Sequence, residues 1–227
     1  MFDRTISLIG NDNYLKLKNS NILIIGLGGV GGYALETLIR SGVENITIVD
    51  YDKIDITNLN RQIISTSNNI GNLKTEEWKK RILSINNNVK VKIINEKIEE
   101  SNINKLFEEQ YDFIIDACDT MIVKKLLIKN CYENGINLIT VCGMGRKLDP
   151  KMVEVVPLSK TSYDPIAKIL RKYVKDERIN SKVMCICSKE QPNNVDKTTI
   201  ASMSMVPSTA GILAAHYVID KLIKEQV

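Results

Sequence analysis

Chemistry that relies on histidine or on paired thiols has little to work with in this chain. The 227 residues include a single histidine, His216. It falls inside a C-terminal helical pattern, where a packing or surface role is expected and not that of a base. The five cysteines, Cys118, Cys131, Cys142, Cys185 and Cys187, form no Cys-x-x-Cys pair, so no zinc site is expected. Their odd number and irregular spacing fit reduced, mostly buried thiols. No apolar run is long enough to span a bilayer, and the first residues show no signal-peptide pattern, so a cytoplasmic protein without a membrane span is expected. No Gly-x-x-x-x-Gly-Lys-Ser/Thr stretch occurs, which excludes a Walker-type phosphate loop. Internal repeats and heptads are also missing. The net charge of +4 is too small to argue nucleic-acid binding by itself; where the charge sits matters more.

What is present is an alternation of short apolar runs and helical patterns. Residues 21–26 read as a buried parallel strand, and 46–50, 89–95, 113–117 and 138–142 as the strands that follow it. Between the first two, Val30, Ala34 and Leu38 share a helical face, and Gly42 closes that helix. A second helix is expected over 121–134. The pattern predicts an α/β, Rossmann-like, doubly wound and mostly parallel sheet, with its ligand beyond the strand C-termini. After Gly145 the character changes. Residues 152–158 and 183–187 read as a pair of strands, Asp164-Pro165 as a capped helix start, 188–199 as a mobile loop and 207–224 as a final amphipathic helix. One domain over 1–227 is expected, with a nucleotide-binding half at 1–145 and an appended substrate-facing half of strand and helix at 146–227.

Gly26-x-Gly28-x-x-Gly31 lies between strand and helix, where glycines let the backbone approach phosphate and the helix N-terminus favours an anion. Asp50 ends the second strand, within reach of ribose hydroxyls. A dinucleotide site needs few charges beyond that carboxylate. Here Asn58, Asn60, Arg61 and Gln62 crowd one turn and Lys74 follows, which suits an extra phosphate. Asp116-Ala-Cys-Asp119 sits at the end of the fourth strand, on the same edge. A carboxylate there can hold Mg²⁺ against phosphates. Asp116 is expected to be structural, and Asp119, beyond the strand end, to be the metal ligand.

Together, Gly26-x-Gly28-Gly29-x-Gly31, Asp50-x-Asp52, Asn58-Leu-Asn-Arg61-Gln62, Gly71-x-x-Lys74 and Asp116-Ala-Cys-Asp119 resemble the E1-like family, which includes the activating enzymes of ubiquitin-like sulfur carriers. The resemblance implies a homodimer that adenylates a carboxylate with Mg·ATP. Carried over by motif, Gly28, Asp50, Asp52, Asn58, Asn60, Arg61, Lys74 and Asp119 form the ATP site, in which Arg61 and Lys74 neutralise phosphates and Asp119 holds the metal. Arg4 matches the family arginine that reaches the partner subunit's ATP.

Residues 4–10, 143–150 and 160–171 are further similar to the branch of that family that dehydrates N6-threonylcarbamoyladenosine in tRNA anticodon loops to its cyclic form. That branch implies an acyl-adenylate captured by the neighbouring ureido group, so no enzyme nucleophile is needed. The alternative is an activator of a ubiquitin-like sulfur carrier protein, but many such members carry two Cys-x-x-Cys pairs that this chain lacks. Some relatives associate with a cysteine desulfurase system. The sequence leaves the sulfur-relay partner and a monovalent cation site open. Lys168, Arg171, Lys172 and Lys175 recur at helical spacing opposite Ile166, Ile169, Leu170 and Tyr173, a basic stripe suited to a phosphate backbone or to plain solvation. Arg146 and Lys147 are the other candidates for tRNA phosphates.

Overall fold

The computed structural model describes residues 1–180, 182–193 and 200–224. In chain order its elements are α1 (Asp3–Ile9), α2 (Asn11–Asn19), β1 (Asn21–Ile25), α3 (Gly31–Ser41), β2 (Asn45–Val49), α4 (Lys74–Ile85) and β3 (Lys90–Ile94). They continue with β4 (Phe113–Asp116), α5 (Met121–Asn134), β5 (Asn137–Val141), β6 (Val153–Pro157), α6 (Pro165–Asp176), β7 (Met184–Ser188) and α7 (Met205–Lys224). All seven strands join one sheet in the order β3-β2-β1-β4-β5-β7-β6. Every neighbouring pair is parallel except β6 with β7, which run antiparallel; the expected pairing of 152–158 with 183–187 is present, and its direction was not part of the expectation. The α/β doubly wound class is therefore observed, and the strand order reverses between β1 and β4.

Alternation along β1 explains why the sheet is covered on both faces. Ile22 and Ile24 point into one core with Leu35, Leu38, Trp78 and Ala214. Leu23 and Ile25 point into the other with Ile114, Val123 and Leu127. Successive strand side chains face opposite sides, so a strand buried on both must be apolar throughout. A third cluster joins Cys142, Cys185 and Cys187 to Ala167 and Leu170, and seats α6 against β5 and β7. All five thiols are free, four of them buried, as their spacing suggested.

Helix ends follow local chemistry. Gly42 takes φ 110 after α3, the left-handed conformation that lets its amide close the helix end. Asp164 caps α6 by accepting from the Ala167 amide at 2.8 Å, with Pro165 in the first turn. Helices α1, α2 and α4 have no counterpart in the sequence expectations. In α4 only Thr75, Trp78 and Ile82, with Lys74, are buried, a stripe too narrow to stand out among its charges. Of the loop expected at 188–199, residues 194–199 lie outside the described residues. No helix among the described residues is long and apolar enough to cross a membrane.

Candidate functional site: a phosphate-sized cavity at the sheet reversal

Where the strand order reverses, the C-terminal ends of β1, β2 and β4 open on a cavity of about 290 Å³. Ligands bind at such a reversal because the two flanking crossovers diverge there and leave a crevice. Three helices begin at its wall. Val30 precedes α3, Lys74 opens α4 and Thr120 precedes α5, and all three residues line the cavity. None of these helix starts has a side-chain cap. The Lys74 amide donates to the Asp52 carbonyl at 3.1 Å and the Gly32 amide to the Gly28 carbonyl at 3.0 Å; the three helix dipoles still point their positive ends at one space, a favourable setting for an anion of high charge.

Gly26 makes the first turn possible. Its φ is 87, and a Cβ there would lie 2.7 Å from the Ala117 carbonyl oxygen. Gly26, Gly28 and Gly29 line the cavity. Gly31 does not; it is packed against the Gly26 carbonyl and serves the turn instead of the space. Asp50 ties the turn to the end of β2: its carboxylate accepts from the Leu27 amide at 2.7 Å and from the Asp52 amide at 2.9 Å. Burial lifts the Asp50 carboxyl above its ordinary value, opposed by the Lys74 ammonium.

Lys74 is buried, with Nζ 2.7 Å from Asp52 and 3.8 Å from Asp50. Arg61 lines the same wall, and its Nη1 donates to the Thr57 carbonyl at 2.8 Å and to Asn60 Oδ1 at 3.0 Å. Asn58 also faces the cavity, but its Oδ1 accepts from the Asp55 amide and so shapes the loop. Asn60 lies outside the lining, because its amide donates to the Ser202 carbonyl and fastens the loop to the segment before α7. That fastening is a correction to its expected place in the nucleotide pocket.

Beyond β4 the two aspartates part company. Asp116 is fully buried and accepts from Lys124 Nζ at 3.0 and 3.1 Å, from Thr140 and from the Cys118 thiol. Burial works against the Lys124 charge, but Asp116 beside it holds the ammonium above the usual lysine value. This pair knits β4, α5 and β5 under the cavity floor. Asp119 is exposed, lines the cavity and, among the described residues, accepts only a long contact from Thr120 Oγ1, at 3.4 Å. Burial and the Asp116 charge push the Cys118 thiol well up, so it is a poor nucleophile at neutral pH. Glu96, Lys97 and Ile98 complete the wall from the loop after β3. The sequence expectations omit them; a position just beyond a parallel strand end was the available signal.

The remaining candidates are scattered. Arg4 is exposed on α1, whose Phe2 and Ile6 share a cavity with Glu44 and Asn86 at the starts of β2 and β3, the edge opposite the phosphate-sized cavity. Lys147 is a correction: it is buried, donates to the Gly143 carbonyl at 2.9 Å and lies 3.6 Å from Asp164, so its ammonium presents nothing to a surface ligand. Arg146 next to it has φ 60 and its amide donates to the Ala201 carbonyl. On α6, Lys168, Lys172 and Lys175 are exposed, whereas Arg171 donates to Thr161. The apolar side of α6 is corrected at one position: Ile169 is exposed, and Ala167 and Leu170 are the buried residues. His216 is exposed on α7.

Known proteins agree with this geometry. A tRNA threonylcarbamoyladenosine dehydratase of Bacillus subtilis is 36% identical over 99% of this chain and 95% of its own length. A crystal structure of the Escherichia coli tRNA N6-threonylcarbamoyladenosine dehydratase in complex with ATP superposes with a TM-score of 0.92, at 31% identity, covering 98% of this chain and 93% of that one. An adenylyltransferase and sulfurtransferase of Vanderwaltozyma polyspora is 39% identical, but over 60% of this chain and 31% of its own length. With a family model matching residues 2–226 and the glycine turn, Lys74 and Asp119 gathered on one edge, the chain belongs to the ThiF family.

Proposed function

We propose that this chain is an ATP-dependent tRNA threonylcarbamoyladenosine dehydratase. The observation that carries the reading is the convergence of three uncapped helix starts, Lys74, Arg61 and Asp119 on one cavity. A triphosphate needs that density of positive potential, and a nicotinamide dinucleotide does not. Lys74 is held by Asp52, whose side chain is half exposed. A partly solvated pair separates at little cost, so a phosphate can take the place of Asp52. Among the described residues no cluster of three His, Cys, Asp or Glu is ready to cage a metal. Asp119 with phosphate and water oxygens still meets the needs of magnesium, which usually keeps several waters. Bound there, the ion would neutralise charge on the phosphates.

The reaction follows from what the site holds and what it lacks. A threonyl carboxylate oxygen attacks the α-phosphorus of ATP, the bond to pyrophosphate breaks, and an acyl-adenylate forms. The ureido group of the same nucleoside then attacks the acyl carbon, AMP leaves, and the ring closes with net loss of water. Because nucleophile and electrophile share one molecule, positioning and charge neutralisation supply the rate. Cys118 takes no part, consistent with its raised pKa. Asp50 orders the glycine turn, and Asp50 and Asp52 hold Lys74 until phosphate arrives.

In this reading a single adenylating domain spans 1–227, supported by one sheet running through both halves. It works in the cytoplasm as a homodimer. Arg4, remote from its own cavity, serves the neighbouring subunit, and a cysteine desulfurase system is a further partner. Exchange of labelled pyrophosphate into ATP is the test, and it should require tRNA bearing threonylcarbamoyladenosine. Mass spectra of anticodon-loop nucleosides should gain a species lighter by one water when the protein is present. Exchange that instead requires a carrier protein with a Gly-Gly end would favour the sulfur-carrier activator.

A further inference from the structure

Helix α6 carries positive charge from one edge of the sheet to the other. Its head is fixed at the cavity edge, because the Gly143 amide, just past β5, donates to Asp164 at 2.9 Å. Its tail reaches the edge where β7 starts. There Pro157, Val174, Ile179 and Val183 form the apolar part of a second cavity, of about 570 Å³. The twelve residues of α6 span roughly 18 Å between these ends.

Four cations, Arg171, Lys175, Arg178 and Lys182, line this second cavity, and among the described residues no Asp or Glu does. The nearby acids of α6 and its C-cap lie outside that lining. Glu177 pairs with Lys129 of α5 at 3.0 Å, and Asp176, four residues after Lys172, is the one acid on the stripe's own flank, outside the lining of the second cavity. Arg178 contributes an independent sign. It follows the C-cap of α6 with φ 54, a position where glycine is the usual residue. An arginine kept in a left-handed conformation points to a job for its side chain.

We propose that this cavity is a second anion site that grips the phosphate backbone of the tRNA away from the reacting nucleoside, with α6 as the rail between the two cavities. The inference rests on the tRNA reading given above. A line of cations that runs roughly 10 Å along α6, from Lys168 to Lys175, and ends in a four-cation cavity matches a polyanion better than a single small anion. Its apolar floor accepts sugar and base faces. Phosphate contacts fix orientation and carry no sequence information. The second cavity therefore sets how the tRNA lies, and the first performs the chemistry.

The test is a tRNA titration over a salt series with the double variant Arg178→Glu, Lys182→Glu. Its Kd should rise at least ~10-fold near 0.1 M salt, and the slope of log K against log salt should fall by about 2, with ATP affinity unchanged. The single variant Arg178→Gly separates the proposed role from a structural one. Glycine suits the left-handed position, so its Tm should rise while tRNA binding weakens. A merely structural arginine would give the first change without the second. Unchanged affinity and slope in both variants would overturn the second site and leave the dehydratase reading intact. So would loss of binding to an acidic protein with tRNA binding preserved. A wild-type protein that binds no tRNA would overturn both.

Discussion

Two places on the cavity edge of the sheet are built from the same parts. Around α4, Lys74 is buried against Asp52 and Asp50; around α6, Lys147 is buried against Asp164. Each place has a buried lysine, an aspartate and a helix start. They differ in what is already satisfied. Asp164 caps α6 through the Ala167 amide, accepts from the Gly143 amide and lies 1% exposed, while Lys147 donates to a carbonyl. Nothing is left over for a ligand. The α4 start has no cap, and Asp52, the closest partner of Lys74, is half exposed. A site for an anion is recognised by the donors that the protein leaves unspent, and a buried lysine alone says little about function.

The sharpest way to break this contrast is through activity. Lys74→Met and Asp119→Asn should each lower ATP–pyrophosphate exchange by ~10³-fold, about 4 kcal/mol of transition-state stabilisation. Both should fold, as circular dichroism and Tm would show. Near-normal exchange with Lys74→Met would mean that the free donors on this edge serve something other than phosphate, and with Asp119→Asn that no catalytic metal is held there.

Lys147→Met supplies the other arm. It leaves Asp164 buried with hydrogen bonds but no counter-charge, and should cost about 3 kcal/mol of stability. Below the lowered melting temperature its exchange rate should match the wild type. Urea midpoints and exchange assays on one preparation measure both. A variant as stable as the wild type but inactive would move Lys147 into the site and erase the distinction.

A smaller effect tests how the open helix start of α3 is held. A Cβ on Gly211 of α7 would fall 2.2 Å from the Val30 carbonyl oxygen and 2.9 Å from Tyr33. Gly211→Ala should therefore push α3 away from its seat, at about 1–2 kcal/mol of stability. Because Val30 lines the cavity, KM for ATP should rise several-fold, with tRNA affinity unmoved. A rise in both constants would show that the disturbance spreads through the sheet and not through α3 alone.

The legible parts of this chain were those where one local rule dominates. The central parallel strands were readable because burial on both faces demands a mostly apolar run; β3, at the sheet edge with the sequence Lys-Val-Lys-Ile-Ile and no buried residue, was readable from its alternation, and each strand was placed within about one residue per end. The glycine turn, Asp50, Arg61, Lys74 and Asp119 could be named as candidates because phosphate chemistry restricts residue types, and the structure gathers them around one cavity. What escaped depends on distant partners. Asn60 has the right chemistry for a nucleotide, yet Ser202, far along the chain, claims its amide. Lys147 looked like a surface cation because nothing local marks Asp164 as its partner. Arg178 and Lys182 were passed over because their cavity forms only when the end of β6 and the approach to β7 meet the tail of α6.

The smallest expected effect concerns Ile169. Spacing alone assigns it to the apolar side of α6 beside Leu170, which would make it a core residue. It is instead 45% exposed, between Lys168 and Lys172, while Leu170 is fully buried against Cys142, Cys185 and Cys187. A helix this narrow buries only the residues nearest its contact line, and Ile169 lies about 100° around the axis from Leu170. Ile169→Ser should change the unfolding free energy measured in urea by less than about 0.5 kcal/mol, as exposed substitutions do. Leu170→Ala, which opens a cavity, should cost about 3 kcal/mol. A large loss at Ile169 would mean that another surface covers this face, and the basic stripe would then not be free to meet a phosphate backbone.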